Sequence, residues 1–236
     1  MSHGERATGP VPGWGLGDAV GGLLVANVVA AIIGSAILAA AGAETTDDVS
    51  LGLVVALQTP LWVGLLAAVV YAGRKGAGIV EDFGARSKPS DIVSGGLAGG
   101  VTQIIVVPLL YLPIFWIIGD RDVSAAAREL TDKAVDPLGV ALLILVVAIA
   151  APVVEELFYR GLLLRALERR IGGPGALVVS SAVFGLVHLQ LLQLPALIVA
   201  GLVFGVLVQR TGRLGPAVFA HMAFNGLAVA ALLASA

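Results

Sequence analysis

The sequence predicts an all-α fold, a polytopic transmembrane helix bundle of seven or eight spans, with its ionisable groups gathered on the later helices. Three observations predict it. Of 236 residues, 58% are hydrophobic and only 13% are charged, where a soluble domain carries about 25% charged residues. The mean hydropathy is +0.99. Apolar segments of roughly 17 residues or more recur along the chain, each long enough to cross about 30 Å of hydrocarbon.

The segments lie near 17–42, 51–72, 92–118, 137–164, 174–191, 194–209 and 214–235. The first is read as a retained span. Its apolar run exceeds a signal-peptide core, and its leader has one arginine, Arg6, despite the cleavage-like "AAAGA" at 39–43. The loops alternate in charge. The 43–50 loop has no Lys or Arg, whereas 72–91 has Arg74, Lys75, Arg86 and Lys88, and "RALERR" has Arg165, Arg169 and Arg170. Arg210 and Arg213 follow the sixth segment. The positive-inside rule then places the N-terminus in the cytoplasm and the C-terminus outside. The 119–136 loop mixes both signs, and its 122–134 portion reads as a short amphipathic helix on the outer surface. "GGPG" at 172–175 reads as a hairpin turn.

The net charge of −2 gives no basic footprint for nucleic acid, and the absence of Cys excludes disulfides and thiolate-held metals. Gly95/Gly99, Gly96/Gly100 and Gly201/Gly205 have the small-xxx-small spacing of close helix packing, here expected within one bundle. Gln58 and Gln103, polar residues of the early spans, are expected to pair with other helices.

Ionisable residues inside a span mark function. The fourth segment carries Glu155, Glu156 and Arg160, the fifth His188, and the seventh His221 and Asn225. Glu156 and Arg160 are i,i+4 with the acid first, the favourable order for a pair on one face. Glu155 is rotated by about 100° from Glu156 and needs another partner. Glu156–Arg160 is therefore read as support and Glu155 as the reagent. Phe184 and His188 share a face, as do His221 and Asn225. With an interface near residue 164, Glu155 lies roughly 14 Å deep and His221 roughly 12 Å deep, a little way in from the cytoplasmic side.

A carboxylate, two imidazoles and an amide suit water activation. In one arrangement Glu155, His188 and His221 hold a divalent metal, zinc by ligand type, with Asn225 nearby. In the other, Glu155 and His188 act as general base, while His221 and Asn225 donate to an oxyanion. Both are hydrolytic and point to a peptide bond. The chain contains no HExxH, no G-x-S-x-G and no cysteine nucleophile.

"EELFYR", "FGLVH" and "HMAFN", in that order on successive late segments, resemble the EExxxR, FxxxH and HxxxN motifs of the CPBP family. That family, also called Abi, comprises CAAX-type prenyl endopeptidases and bacteriocin-processing or bacteriocin-immunity membrane proteins. The resemblance divides the chain into N-terminal helices and loops (1–136) and a CPBP-like core (137–236). It implies an intramembrane metalloprotease or glutamate-dependent endopeptidase. Glu155 would activate water, assisted by His188, His221 and Asn225 and supported by Glu156, Arg160 and Phe184. The implied partners are the bilayer and a membrane-associated peptide or prenylated protein. Rival readings are a non-catalytic immunity or scaffold protein and a proton-coupled transporter. Transport is disfavoured because the first half has no matching charge set.

Overall fold

The computed structural model describes residues 12–43 and 49–235. Arg6 and the acidic stretch at 44–48, which bear on the orientation of the first span, lie outside these residues. Among the described residues there are eight helices: α1 (Leu16–Ala41), α2 (Leu51–Gly73), α3 (Ile79–Phe83), α4 (Pro89–Ile118), α5 (Ala125–Asp132), α6 (Pro137–Leu186), α7 (Leu194–Thr211) and α8 (Gly215–Ser235). Six of them are long and apolar enough to cross a membrane. The chain is a multi-pass membrane protein. The short α5 falls where an amphipathic helix was expected.

The count of six rather than seven comes from α6, which is 50 residues long. It is not straight. Gly172 breaks it at φ 75° and ψ 167°, a conformation glycine adopts without steric penalty. Were α6 straight, Tyr159 and Phe184 would be separated by roughly 37 Å; their ring centroids lie 5.3 Å apart. The chain therefore doubles back at the expected "GGPG" turn, and α6 supplies two arms. Glu155 stands 17 positions before Gly172, and His188 stands 16 after it. The returning arm ends at Leu186, short of the expected 191. His188 thus sits in the turn beyond the helix, next to Leu189, whose φ is 56°.

The outgoing arm also departs from the regular helix expected over 137–164. Wide turns, with i→i+5 hydrogen bonds, occupy Ile144–Ala150 and Glu156–Leu163, and another lies in α4 at Thr102–Val106. Two of the three end just ahead of a proline, Pro108 or Pro152. Proline offers no N–H and its ring crowds the carbonyl four residues back, a clash that a widened turn relieves. Pro60 and Pro113 sit inside α2 and α4 without a wide turn, so proline alone does not dictate one. Glu156–Leu163 has no proline behind it.

One end of the bundle is tied by charge. Arg213 makes two bonds to the buried Asp91 at the start of α4, 2.6 and 3.2 Å. Lys75 pairs with Asp18 across the start of α1 at 2.5 Å. Arg169 donates to the Trp14 carbonyl at 2.7 Å and lies over its ring. Backbone bonds from Leu214 to Gly84 and from Gly215 to Arg86 join the loop before α4 to the start of α8. The core beneath includes Phe83, Phe158, Phe184 and Phe204 and draws on both halves of the chain.

Gly95/Gly99 and Gly201/Gly205 pack within the bundle as expected, whereas the Gly96/Gly100 pair does not act as one. A Cβ on Gly95 or Gly99 would strike the backbone of α8 at Pro216 or Ala220, and one on Gly201 would meet Ser181 of the returning arm. Gly96 faces open space. Gly99→Leu is therefore expected to destabilise the protein by about 1–3 kcal/mol through overpacking, and Gly96→Leu to leave it unchanged. Thermal unfolding of both variants in one detergent checks the difference.

Candidate active site

Glu156 and Arg160 form the ion pair that the i,i+4 spacing predicts. Arg160 Nη1 lies 2.8 Å from Glu156 Oε1, and the two side chains are 2% and 0% exposed. A lone charge at this depth would be strongly destabilising, so each requires the other. Arg160 is held further by the Gly201 carbonyl at 3.3 Å and by the rings of Phe184 and Phe204, 4.3 and 5.4 Å from its guanidinium carbon. Phe204 is a supporting residue with no signal in the sequence, where its segment, "GLVFG", stands out only for its glycines.

His221 reaches both glutamates. Its Nδ1 is 2.9 Å from Glu156 Oε1, and its Nε2 is 3.8 Å from Glu155 Oε2. A carboxylate paired with arginine only accepts, so Nδ1 carries the proton and Nε2 is the nitrogen turned to Glu155. At 3.8 Å this second approach is not a hydrogen bond. Phe204 stacks on the imidazole at 4.9 Å, and Phe184 meets it edge-on at 5.7 Å.

Glu155 is the exposed member of the pair. Its side chain keeps 15% of its surface and lines a cavity of about 260 Å³ together with Tyr159, His188, Gln58 and Trp62. His188 Nδ1 lies 2.6 Å from the Phe184 carbonyl. A carbonyl only accepts, so this nitrogen is the donor and Nε2 is left free. Phe184 packs edge-on against His188 at 4.9 Å. The far wall comes from α1 and α2, through Asn27, Gln58 and Trp62. Gln58 thus lines the cavity, and among the described residues neither it nor Gln103 makes the expected side-chain hydrogen bond. Within one sequence, a lone glutamine in a span carries no signal for such a wall.

Asn225 is placed differently. Its amide donates to the Val147 carbonyl at 2.9 Å, one helical turn along α8 from His221.

Residues 137–227 match the family described as type II CAAX prenyl endopeptidase, Rce1-like. Over 90 residues the chain is 34% identical to a Bacillus subtilis (strain 168) protein named "Putative membrane peptidase YdiL". That stretch is 38% of this chain and 37% of the relative, so the likeness spans little more than a third of either. No solved structure matches the chain. All three motifs fall inside the matched segment, and its structure brings Glu155, Glu156, Arg160, Phe184, His188 and His221 around one point.

The zinc set expected from Glu155, His188 and His221 does not assemble. Among the described residues no three His, Asp or Glu side chains stand close enough together to hold a metal ion. His221 is engaged by Glu156 on one nitrogen, and His188 by Phe184 on another. The donor set in this conformation does not fit a three-ligand zinc site.

Glu156→Ala strands Arg160 and removes the partner of His221. It is expected to destabilise the protein by about 3–5 kcal/mol, read as a lower thermal midpoint. Glu155→Ala, at the cavity wall, is expected to leave the midpoint nearly unchanged.

Proposed function

We propose that the protein is an intramembrane endopeptidase that hydrolyses a peptide bond in a membrane-associated substrate, with Glu155 as general base. One observation carries the reading. Of two adjacent glutamates, Glu156 is sealed and neutralised, while Glu155 opens on a cavity beside the free nitrogen of His188.

Glu155 accepts a proton from water, and the resulting hydroxide attacks the peptide carbonyl carbon. The C–N bond then breaks as the proton passes to the leaving amine. His188 Nε2 orients the water, and the acceptor Nε2 of His221 lies behind Glu155, where it can receive the proton-bearing carboxyl once Glu155 has taken up the water proton. The Gln58 and Trp62 wall supplies polar groups for an extended peptide, whose backbone needs partners once it leaves a helix within the membrane. CAAX-type prenylated proteins and bacteriocin-like peptides are the substrate classes the family suggests. Lys75, Arg165, Arg169 and Arg213 share one end of the bundle, which supports placing that end in the cytoplasm of a bacterial inner membrane, with the C-terminus outside.

Glu155→Gln is expected to lower cleavage by about 100-fold or more. New peptide termini in membranes of cells carrying the wild-type protein should be missing from cells carrying Glu155→Gln. Identical termini in both would sink the reading. Full activity after chelation, with metal content measured on the same sample, is expected for this route. Loss on chelation and recovery with zinc would instead favour Glu155, His188 and His221 as ligands in a rearranged site.

A further inference from the structure

We propose that Asn225 is a positioning residue. Its amide caps a backbone carbonyl that Pro152 leaves without a partner, and it thereby fixes the wide turn that leads into Glu155. In a wide turn the carbonyl of residue i meets the N–H of residue i+5. The Ala151 N–H donates to the Val146 carbonyl in this way. The next carbonyl, Val147, stands opposite residue 152. Pro152 has no N–H to offer. Inside a bilayer no bulk water takes its place, so a bare carbonyl is destabilising.

Asn225 meets that need from another helix, at 2.9 Å across 78 positions of sequence. α8 runs close here, since a Cβ on Gly226 would lie 3.8 Å from that of Ala148. The molecule contains its own comparison. In α4 the Val107 N–H donates to the Thr102 carbonyl, and the Gln103 carbonyl stands opposite Pro108 in the same way. Among the described residues no side chain donates to the Gln103 carbonyl. The cap is present on the helix that bears the glutamates.

The consequence is a two-point grip. α8 holds α6 upstream of Glu155 through Asn225 on Val147, and immediately downstream through His221 on Glu156. Glu155 lies between the two. Its consequence for catalysis rests on the proposed function, but the capping role does not. It differs from the direct role at the reacting atoms that the HxxxN resemblance implies for Asn225.

A double-mutant cycle separates the two roles. Pro152→Ala returns an N–H to position 152. The thermal midpoint, which needs no substrate, should fall by several degrees in Asn225→Ala alone and by much less when Asn225→Ala is added to Pro152→Ala. Cleavage should follow: Asn225→Ala should cost about tenfold or more when Pro152 is present, and no more than about threefold when it is added to Pro152→Ala. An equal loss in both backgrounds overturns the proposal, because a donor to the reacting oxygen is indifferent to residue 152. If Pro152→Ala does not fold, Asn225→Ala alone decides: an unchanged midpoint overturns the cap. A wild type that cleaves nothing, with the midpoint cycle still coupled, would count against the protease reading and not against the cap.

Discussion

The buried Glu156–Arg160 pair is the constraint around which the site is organised. An arginine 2% exposed in a span has to be answered on every side. One carboxylate oxygen, one backbone carbonyl and two aromatic faces answer it. Those partners come from both arms of α6 and from α7, so settling Arg160 fixes three segments at once. The same carboxylate oxygen receives His221 and draws in α8. Glu155 has only the longer approach of His221, at 3.8 Å, and remains turned to the cavity. The separation of two neighbouring glutamates into a fixed one and an open one follows from where a single arginine is neutralised.

Much of this was legible in the sequence. Apolar length announces the bundle, and the spacing of Glu156 and Arg160 announces their pairing. The hairpin was legible because "GGPG" interrupts an otherwise continuous apolar run. What could not be read depends on backbone detail. Regular 3.6-residue geometry was assumed over 137–164, whereas two wide turns occur there. Nothing in residue types alone distinguishes Pro152 and Pro108, which follow wide turns, from Pro60 and Pro113, which do not. The supporting place of Phe204 and the cavity-wall place of Gln58 are illegible for a related reason. A phenylalanine or glutamine in a span has many uses, and only its neighbours in space reveal which one applies.

The early helices have more than a scaffolding part. They have no share in the matched segment, yet α1 and α2 close the cavity opposite Glu155. Trp62 lines it with an indole nitrogen that is buried and, among the described residues, without a partner. On the proposed reading, chemistry and recognition are thus distributed unequally along the chain. The acid and both imidazoles come from the later helices, while the facing wall comes from helices whose sequence has no motif to preserve.

The near-equal arms on either side of Gly172 have an evolutionary corollary. Glu155 and His188 are level because 17 and 16 positions separate them from the same turn. Inserting one residue into either arm would slide its half of the site by about 1.5 Å and swing it by about 100°, enough to dismantle it. Length changes in this hairpin are tolerable at its tip, or in matched pairs across it. The spacing between the first two motifs should therefore drift far less among relatives than the loop between α4 and α6, where nothing is being measured out.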